Sequence, residues 1–298
     1  MSRTAVALGL FDGVHLGHRA VLGAAAARQQ EGLLPAAFTF QPEFAGQKGA
    51  VGFLYTAAQR EEILREECGI PEVLSLSFAQ VGSLSGEEFV RGILCERMNA
   101  VFVVCGEDFR FGRGAAWNAD ALREFGRRYG FAVQVVPAVC KDGGVISSSR
   151  IRSLLSDGRI CEANALLGAP YQICGKVLHG AHLGHTIGFP TINQNFAQGQ
   201  LVPHFGVYAS ETITAQGCFL SVTDIGVKPT VGYSGLPLAE THILDFSGDL
   251  YGQVITVRLL HFLREEQRFD SLDALRSRLS ADADRCRQLS GNYHGLNT

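Results

Sequence analysis

Along the first half of the chain, short unbroken apolar runs alternate with longer stretches whose apolar residues recur every three or four positions. Ala5–Leu8, Pro35–Phe40, Val73–Phe78, Ala100–Cys105 and Phe131–Val139 are the runs, and each has the length of a strand. Between them lie four helical patterns. Ala20–Arg28 is the first. A charged segment opens at Thr56-Ala57-Ala58-Gln59 and stops at Gly69. Ser85-Gly86-Glu87-Glu88 precedes Phe89, Ile93, Leu94 and Arg97 at helical spacing. Asp120–Tyr129 sets Leu122, Phe125 and Tyr129 on one stripe before Gly130. Thr56 with Gln59, and Ser85 with Glu88, have the spacing of capping boxes. Strand and helix in strict alternation predict an open, doubly wound parallel sheet.

The pattern changes after a short helix, Arg159–Gly168, whose apolar positions are Ile160, Ala163, Leu166 and Leu167. Ala169-Pro170 ends it. Beyond lie strand-like runs at Tyr171–Leu178, Gly206–Thr214, Cys218–Thr223, Glu240–Phe246 and Tyr251–Phe262, separated by Gly- and Pro-rich turns. That spacing predicts a small antiparallel β-barrel. One amphipathic helix closes the chain from Asp270, carrying Leu272, Leu275, Leu279, Ala283, Cys286 and Leu289. The expected organisation is α/β: a doubly wound domain over residues 1–158, a linker helix over 159–170, and a barrel domain with a terminal helix over 171–298.

Length and composition narrow this. A chain of 298 residues favours two domains over one. With 46% hydrophobic and 18% charged residues it reads as a globular enzyme, and a net charge of −3 offers no basic excess for nucleic acid. No apolar run approaches the length of a membrane span, and the run after Thr4 is too short for a signal peptide. The eight cysteines contain no C-x-x-C pair, so they are expected to be small buried hydrophobes in a reducing compartment. The expected setting is cytoplasmic, with small-molecule partners and neither nucleic acid nor membrane.

Candidate chemistry begins at Gly9-Leu10-Phe11-Asp12-Gly13-Val14-His15-Leu16-Gly17-His18. A strand, a glycine-containing turn and a helix start make a phosphate site, because free backbone N–H groups and the positive helix end face the same point. His15 and His18 share one face of the first helical turn and could donate to a triphosphate; solvated histidines at a helix start are the competing reading. Neither G-x-G-x-x-G nor G-x-x-x-x-G-K-[ST] occurs here. Two more stretches lie at strand ends. Gly106-Glu107-Asp108-Phe109-Arg110-Phe111-Gly112 offers aromatics for a flat ring and polar groups for its edge, against the alternative of a solvated loop with two buried rings. In Ile146–Arg152, Ser147 is a candidate N-cap, and Ser148 and Arg150 could grip phosphates. Arg150 opposes the helix dipole, which favours a functional cause for it.

In the second half, Gly175-Lys176-Val177-Leu178-His179-Gly180 and Gly184-His185-Thr186-Ile187-Gly188-Phe189-Pro190-Thr191-Ile192-Asn193 carry the densest chemistry. If the last part is extended, Thr191 and Asn193 lie on one face, as hard oxygen ligands suited to Mg²⁺ with a nucleotide; a barrel turn with local hydrogen bonds is the alternative. In Leu238–Phe246, Glu240, His242, Leu244 and Phe246 share a face, and Glu240 could act as a base for a substrate hydroxyl. A solvated strand start is the competing reading.

The H-x-G-H of His15–His18 is similar to the signature of the nucleotidylyltransferase superfamily. The longer Phe-Asp-Gly-Val-His-Leu-Gly-His resembles prokaryotic bifunctional riboflavin kinase/FAD synthetases. The loop at 106–112 and Ile146-Ser147-Ser148-Ser149-Arg150-Ile151-Arg152 match the same module. So, for the kinase module, do G-x-V-x-H-G, G-F-P-T-x-N and Glu240-Thr241-His242-Ile243-Leu244-Asp245-Phe246, with Phe205–Tyr208, Asp224–Thr230, Gly248–Gly252 and Phe262–Arg264. The resemblance implies a nucleotidylyltransferase-like first domain. There Gly9, Phe11, Asp12, Gly13, Ser148 and Arg150 would bind ATP, His15 and His18 would act in catalysis, and Asp108, Phe109 and Phe111 would bind flavin. For the barrel it implies nucleotide binding by Gly175, Lys176, Gly188, Pro190, Thr191 and Asn193, Mg²⁺ held through Thr191 and Asn193, and Glu240 as base. Riboflavin and ATP would give FMN, and FMN with a second ATP would give FAD and pyrophosphate. The chain departs from the family pattern at Leu10, Phe40-Gln41-Pro42-Glu43, Trp117, His185 and Asp224. Those near the first site leave an alternative, a riboflavin kinase whose N-terminal domain is a binding and regulatory module. A non-catalytic flavin or nucleotide sensor is a third reading, against which the Glu240 base stands.

Overall fold

The computed structural model describes residues 2–41, 52–179, 188–227 and 235–290. Pro42-Glu43, Gly180, Gly184–Ile187 and Lys228-Pro229-Thr230, all used above, lie outside them. The chain forms two compact units, Met1–Ser148 and Ser149–Thr298.

The first unit is built on five parallel strands: β1 (Thr4–Leu8), β2 (Leu34–Gln41), β3 (Glu72–Ser77), β4 (Ala100–Gly106) and, after two short ones, β7 (Ala132–Val136). Their order is β3-β2-β1-β4-β7, so the winding reverses between β1 and β4. In such sheets ligands bind beyond the carboxyl ends of the strands at that reversal. The turn at 9–18 follows β1 and the loop at 106–114 follows β4.

The helices explain themselves from their caps. α1 (Leu16–Ala26) starts on His15. α2 (Ala57–Glu66) has the expected reciprocal capping box of Thr56 and Gln59. Two short turns, α3 (Phe78–Val81) and α4 (Gly86–Glu88), follow, the latter opened by the Ser85–Glu88 box. The segment after it departs from expectation. Phe89–Arg97 is a π-helix rather than an α-helix, and Met98 N donates to Ile93 O, five residues back, at 3.0 Å. Its buried residues Phe89, Val90, Ile93 and Leu94 fit either helix, so spacing alone did not separate them. Beyond β4, β5 (Arg110–Phe111) and β6 (Trp117–Asn118) form a small ribbon, then α5 (Ala119–Tyr129) ends at Gly130. The expected strand at 131–139 is shorter, and the hairpin of β8 (Cys140–Lys141) and β9 (Gly144–Val145) follows it. One core cluster holds Val6, Leu8, Phe38, Phe89, Leu94, Val103 and Leu122, all under 6% exposed.

The second unit opens with α6 (Ser148–Ser156, whose first residue belongs to the first unit) and α7 (Ile160–Leu167). Its sheet is a curled, antiparallel set of six in the order β10-β15-β12-β13-β14-β11. The strands are β10 (Tyr171–Lys176), β11 (Thr191–Asn195), β12 (Gly206–Thr214), β13 (Gly217–Val227), β14 (Pro237–Ile243) and β15 (Val254–Arg264). Its ends meet where Leu178 N donates to Asn193 O at 2.8 Å. β14 stops at Ile243, short of the expected Phe246, because Asp245 takes a left-handed φ of 56°. Leu244 turns into a cluster with Val207, Ala209 and Val222 beneath the terminal helix α8 (Leu272–Ser290). Arg264 grips Asp282 of that helix at 2.7 Å, with Asp282 4% exposed at the side chain.

The opposite face of the sheet carries a polar strip among buried apolar residues such as Val257, Leu259, Ile225 and Ala239. Thr212, Ser221, Ser210, Thr223 and Thr241 are fully buried and form a ladder of hydroxyls at 2.8–2.9 Å across β12, β13 and β14. Each hydroxyl has at least one hydrogen-bond partner in the ladder, so burial leaves none without a bond. The cysteines correct another expectation: Cys105 and Cys286 are buried, but Cys140, Cys161 and Cys218 are exposed. Cys140 and Cys218 sit in hairpins, where little packs over a short side chain. Among the described residues no helix is long and apolar enough to cross a membrane.

Candidate functional site

In the first unit, β1 delivers Gly9 to the carboxyl edge of the sheet, and the chain turns sharply. Phe11 has φ 54°, Gly13 has φ 85° and Val14 has φ 42°. For a β-branched residue such as Val14 this is a true outlier. Gly9 has no room for a side chain, since a Cβ would lie 2.8 Å from the Phe11 ring. The expected Gly9, Phe11, Asp12 and Gly13 therefore all belong to one turn.

His15 caps α1, its Nδ1 accepting from His18 N at 3.2 Å. An accepting Nδ1 leaves the neutral ring's proton on Nε2. The two imidazoles stack with centroids 3.6 Å apart and planes 15° apart, and Phe11 meets His18 edge-on at 5.5 Å. Burial pushes the His15 pKa down from 6.5 to about 4. Burial, then the His15 and Arg60 charges, hold His18 well below its ordinary range. Both rings are thus neutral hydrogen-bond donors near pH 7 rather than cations. His18 Nδ1 is buried without a hydrogen-bond partner among the described residues.

A pH dependence follows. Between about 4 and 6.5 the unfolded His15 binds a proton that the folded one refuses. Stability is therefore complete above the upper value and is lost as pH falls toward the lower, by roughly 3 kcal/mol for this group. His15→Asn keeps a capping oxygen and does not titrate. Urea unfolding of the variant at pH 7 and pH 5 is expected to show a smaller loss than wild type; an equal loss refutes the assignment.

One residue of the turn, Asp12, has structural work. Asp12 is 1% exposed, and its Oδ1 accepts from Leu54 N at 3.0 Å and Tyr55 N at 3.4 Å. Ser148 Oγ donates to Asp12 O at 2.9 Å. Arg150 is half-buried on the first turn of α6, in the second unit. Arg60 went unnoticed in the sequence, where it sits in a charged helix with no local signal. It is 2% exposed, and its guanidinium donates to Leu10 O at 3.0 Å and Phe40 O at 3.4 Å. Burial disfavours its charge and the nearby Asp12 carboxylate supports it. Arg60 thereby fastens the turn from below.

Beside the turn lies a cavity of about 310 Å³ lined by Phe38, Phe40, Phe78, Phe89, Phe109 and Phe111, with Gly9 at its edge. Phe109 and Phe111 stack at 5.8 Å and 15°. The shape and lining suit a flat aromatic ring. Phe89 reaches the cavity as the first residue of the π-helix. Asp108 is exposed and outside the lining. Trp117 lies outside the cavity lining and packs against Gly86 and Gly112, where added Cβ atoms would lie 2.6 and 2.4 Å from its ring. Its bulk is housed by these two glycines, not by the ligand space.

In the second unit Thr191 and Asn193 lie on one face of β11, which pairs edge to edge with β14. Asn193 is directly opposite Glu240, and Asp224 of β13 flanks Glu240 on the other side. Thr191 Oγ1 donates to Glu240 Oε1 at 2.8 Å. Asn193 is 8% exposed. A cavity of about 350 Å³ adjoins this cluster, lined by Val177, Pro190, Thr191, Ile192, Leu250 and Tyr251 among others. Gly175 and Lys176 end β10, and Gly188 lies three residues before Thr191, all outside that lining. Thr241, given no role in the sequence reading, lines the cavity as the terminal hydroxyl of the buried ladder.

Comparison with known proteins matches each unit. The FAD synthetase family model covers residues 1–150 and the riboflavin kinase model residues 167–290. The bifunctional riboflavin kinase/FMN adenylyltransferase of Escherichia coli (strain K12) is 36% identical over 291 residues, covering 95% of this chain and 92% of that protein. The protein of that description from Pseudomonas fluorescens is 38% identical over 288 residues, with the same coverage of 95% and 92%. A crystal structure described as a macrolide-efflux protein from Streptococcus pneumoniae superposes with a TM-score of 0.83 at 33% identity, covering 96% of this chain and 94% of that one.

Proposed function

The chain belongs to the bifunctional riboflavin kinase/FMN adenylyltransferase family, and from that premise we infer that it makes FAD in two ATP-dependent transfers. It is a transferase of FAD biosynthesis that converts riboflavin to FMN and FMN to FAD. We assign the kinase to residues 171–298, the adenylyltransferase to residues 1–158, and a linking role to the helix within 159–170.

In the kinase step the ribityl 5′-hydroxyl of riboflavin attacks the γ-phosphorus of ATP. Glu240 takes the hydroxyl proton as the new bond forms, and ADP leaves as the bond from the γ-phosphorus to its bridging oxygen breaks. The Thr191 hydroxyl holds that carboxylate at 2.8 Å. With its proton committed to Glu240, Thr191 Oγ1 keeps lone pairs for a hard cation, and the Asn193 amide oxygen belongs to the same face. This donor set fits Mg²⁺. When bound there, the ion would offset charge on the transferring phosphoryl group.

In the adenylyl step an FMN phosphate oxygen attacks the α-phosphorus of a second ATP and pyrophosphate leaves. The nucleophile belongs to the substrate, so the protein's task is placement and charge stabilisation. His15 Nε2–H, His18 and the turn at 9–14 would donate to the phosphates, and Ser148, whose hydroxyl donates to Asp12 O at 2.9 Å, would hold that turn in place. The isoalloxazine would occupy the phenylalanine cavity, whose edge is Gly9.

The single observation that carries this reading is the pairing of Glu240 with Thr191 and Asn193 on facing strands, because binding alone requires no base. The test is incubation of the full chain with riboflavin, ATP and Mg²⁺, followed by chromatography of the flavins. FMN and FAD together are expected. FMN alone would leave a kinase with a regulatory first domain, and neither product would overturn the assignment.

A further inference from the structure

His242 has no part in the reading above, yet it occupies a defined place in the kinase cluster. It lies two residues from Glu240 on the same face of β14 and directly opposite Thr191 on β11. Its Nδ1 is 2.8 Å from the carbonyl oxygen of Pro190. A carbonyl only accepts, so Nδ1 carries the proton and donates. The Phe189 ring stands 5.0 Å from the imidazole centroid.

The geometry has a consequence for Thr191. The Pro190–Thr191 peptide is planar and trans, so its C=O and N–H point in opposite directions. Fixing the oxygen therefore fixes the plane, and with it the direction in which the Thr191 N–H and Cα leave. Proline brings no N–H of its own to register this corner. Thr191 Oγ1 in turn donates to Glu240 Oε1 at 2.8 Å. The imidazole, the peptide plane, the threonine hydroxyl and the base form one connected chain of fixed groups. The strand's burial comes from Ala239, Thr241 and Ile243 on its other face, while His242 itself is half-buried.

We propose that His242 is a positioning residue of the kinase site, locking the Pro190–Thr191 peptide so that Thr191 is held against Glu240. The proposal rests on the assignment of Glu240, Thr191 and Asn193 as that site. It predicts a nitrogen-specific rescue. Asparagine places Nδ2 on Cγ, where histidine has Nδ1, whereas the glutamine amide lies one bond farther out.

The test measures kcat and KM for FMN formation by full-length His242→Ala, His242→Asn and His242→Gln, with Glu240→Gln as control and adenylylation of supplied FMN as a check on folding. His242→Ala is expected to lower kcat by about 10- to 100-fold, with little change in the KM for riboflavin and normal adenylylation. His242→Asn should recover most of the loss and His242→Gln little of it. If Glu240→Gln is inactive while His242→Ala turns over like wild type, His242 is not a positioning residue. Equal rescue by Asn and Gln, or none by Asn, rejects the Nδ1–H bond as its mode of action. A fully active Glu240→Gln overturns the site assignment itself.

Discussion

Glu240→Gln is expected to abolish FMN formation while adenylylation of supplied FMN proceeds at the wild-type rate. Glutamine has nearly the shape of glutamate, and its Oε1 can still accept from Thr191, which donates to Glu240 at 2.8 Å. The local geometry survives and the ability to take a proton is lost. A positioned general base contributes about 10²- to 10⁴-fold, so kcat for the kinase should fall within that range. The second activity is the one assigned above to residues 1–158, most of which form a compact unit with its own core, so it serves as the internal control. A variant that keeps more than a tenth of wild-type kinase turnover shows that Glu240 is not the base. Loss of both activities shows that the two sites are not independent.

His18→Ala should do the reverse, lowering FAD synthesis from FMN by about 10²- to 10³-fold, the range for removal of one donor to developing charge, with FMN formation from riboflavin unchanged. The ring does two things. It presents a donor at the start of α1, and it stacks on His15 at 3.6 Å, holding the plane of the neighbouring imidazole. The backbone N–H of residue 18 that bonds His15 Nδ1 remains in the alanine variant, so the helix keeps its cap. A melting temperature close to wild type, alongside lost adenylylation, separates the chemical role from a folding defect. Normal FAD output would remove His18 from the mechanism.

Both predictions were within reach of the sequence because the residues concerned sit in local contexts that sequence spells out. Thr56 and Ser85 announce their helices through side chains three residues on. The turn after β1 and the loop after β4 are marked by glycines. Thr191 and Asn193, two apart, needed only an extended backbone to share a face. What escaped is set by contacts distant in sequence or by geometry that spacing does not encode. Arg60 looks like a solvated helix residue until the carbonyls of Leu10 and Phe40 are seen to close on it. A period of 3.6 and the wider π turn leave the same apolar positions buried over Phe89–Arg97. The end of β14 depends on a left-handed Asp245, a conformation aspartate tolerates without requiring it. The hydroxyl ladder draws on three strands, so no single run of sequence displays it. Trp117 stands out in the sequence as a departure from the family pattern because its two glycine neighbours, Gly86 and Gly112, lie 31 and 5 residues away from it in the chain and house its ring jointly.

The turn at Phe11 and Val14, with φ of 54° and 42°, has a thermodynamic consequence for ligand affinity. Backbone held in such regions costs about 1–3 kcal/mol per residue, and here the buried side chains of Phe11 and Val14, the Asp12 carboxylate and the Arg60 guanidinium hold it in place. The conformational entropy of shaping this loop is therefore surrendered when the chain folds, not when nucleotide arrives. A triphosphate bound there as proposed would meet a loop already shaped, and more of its interaction energy would appear as binding.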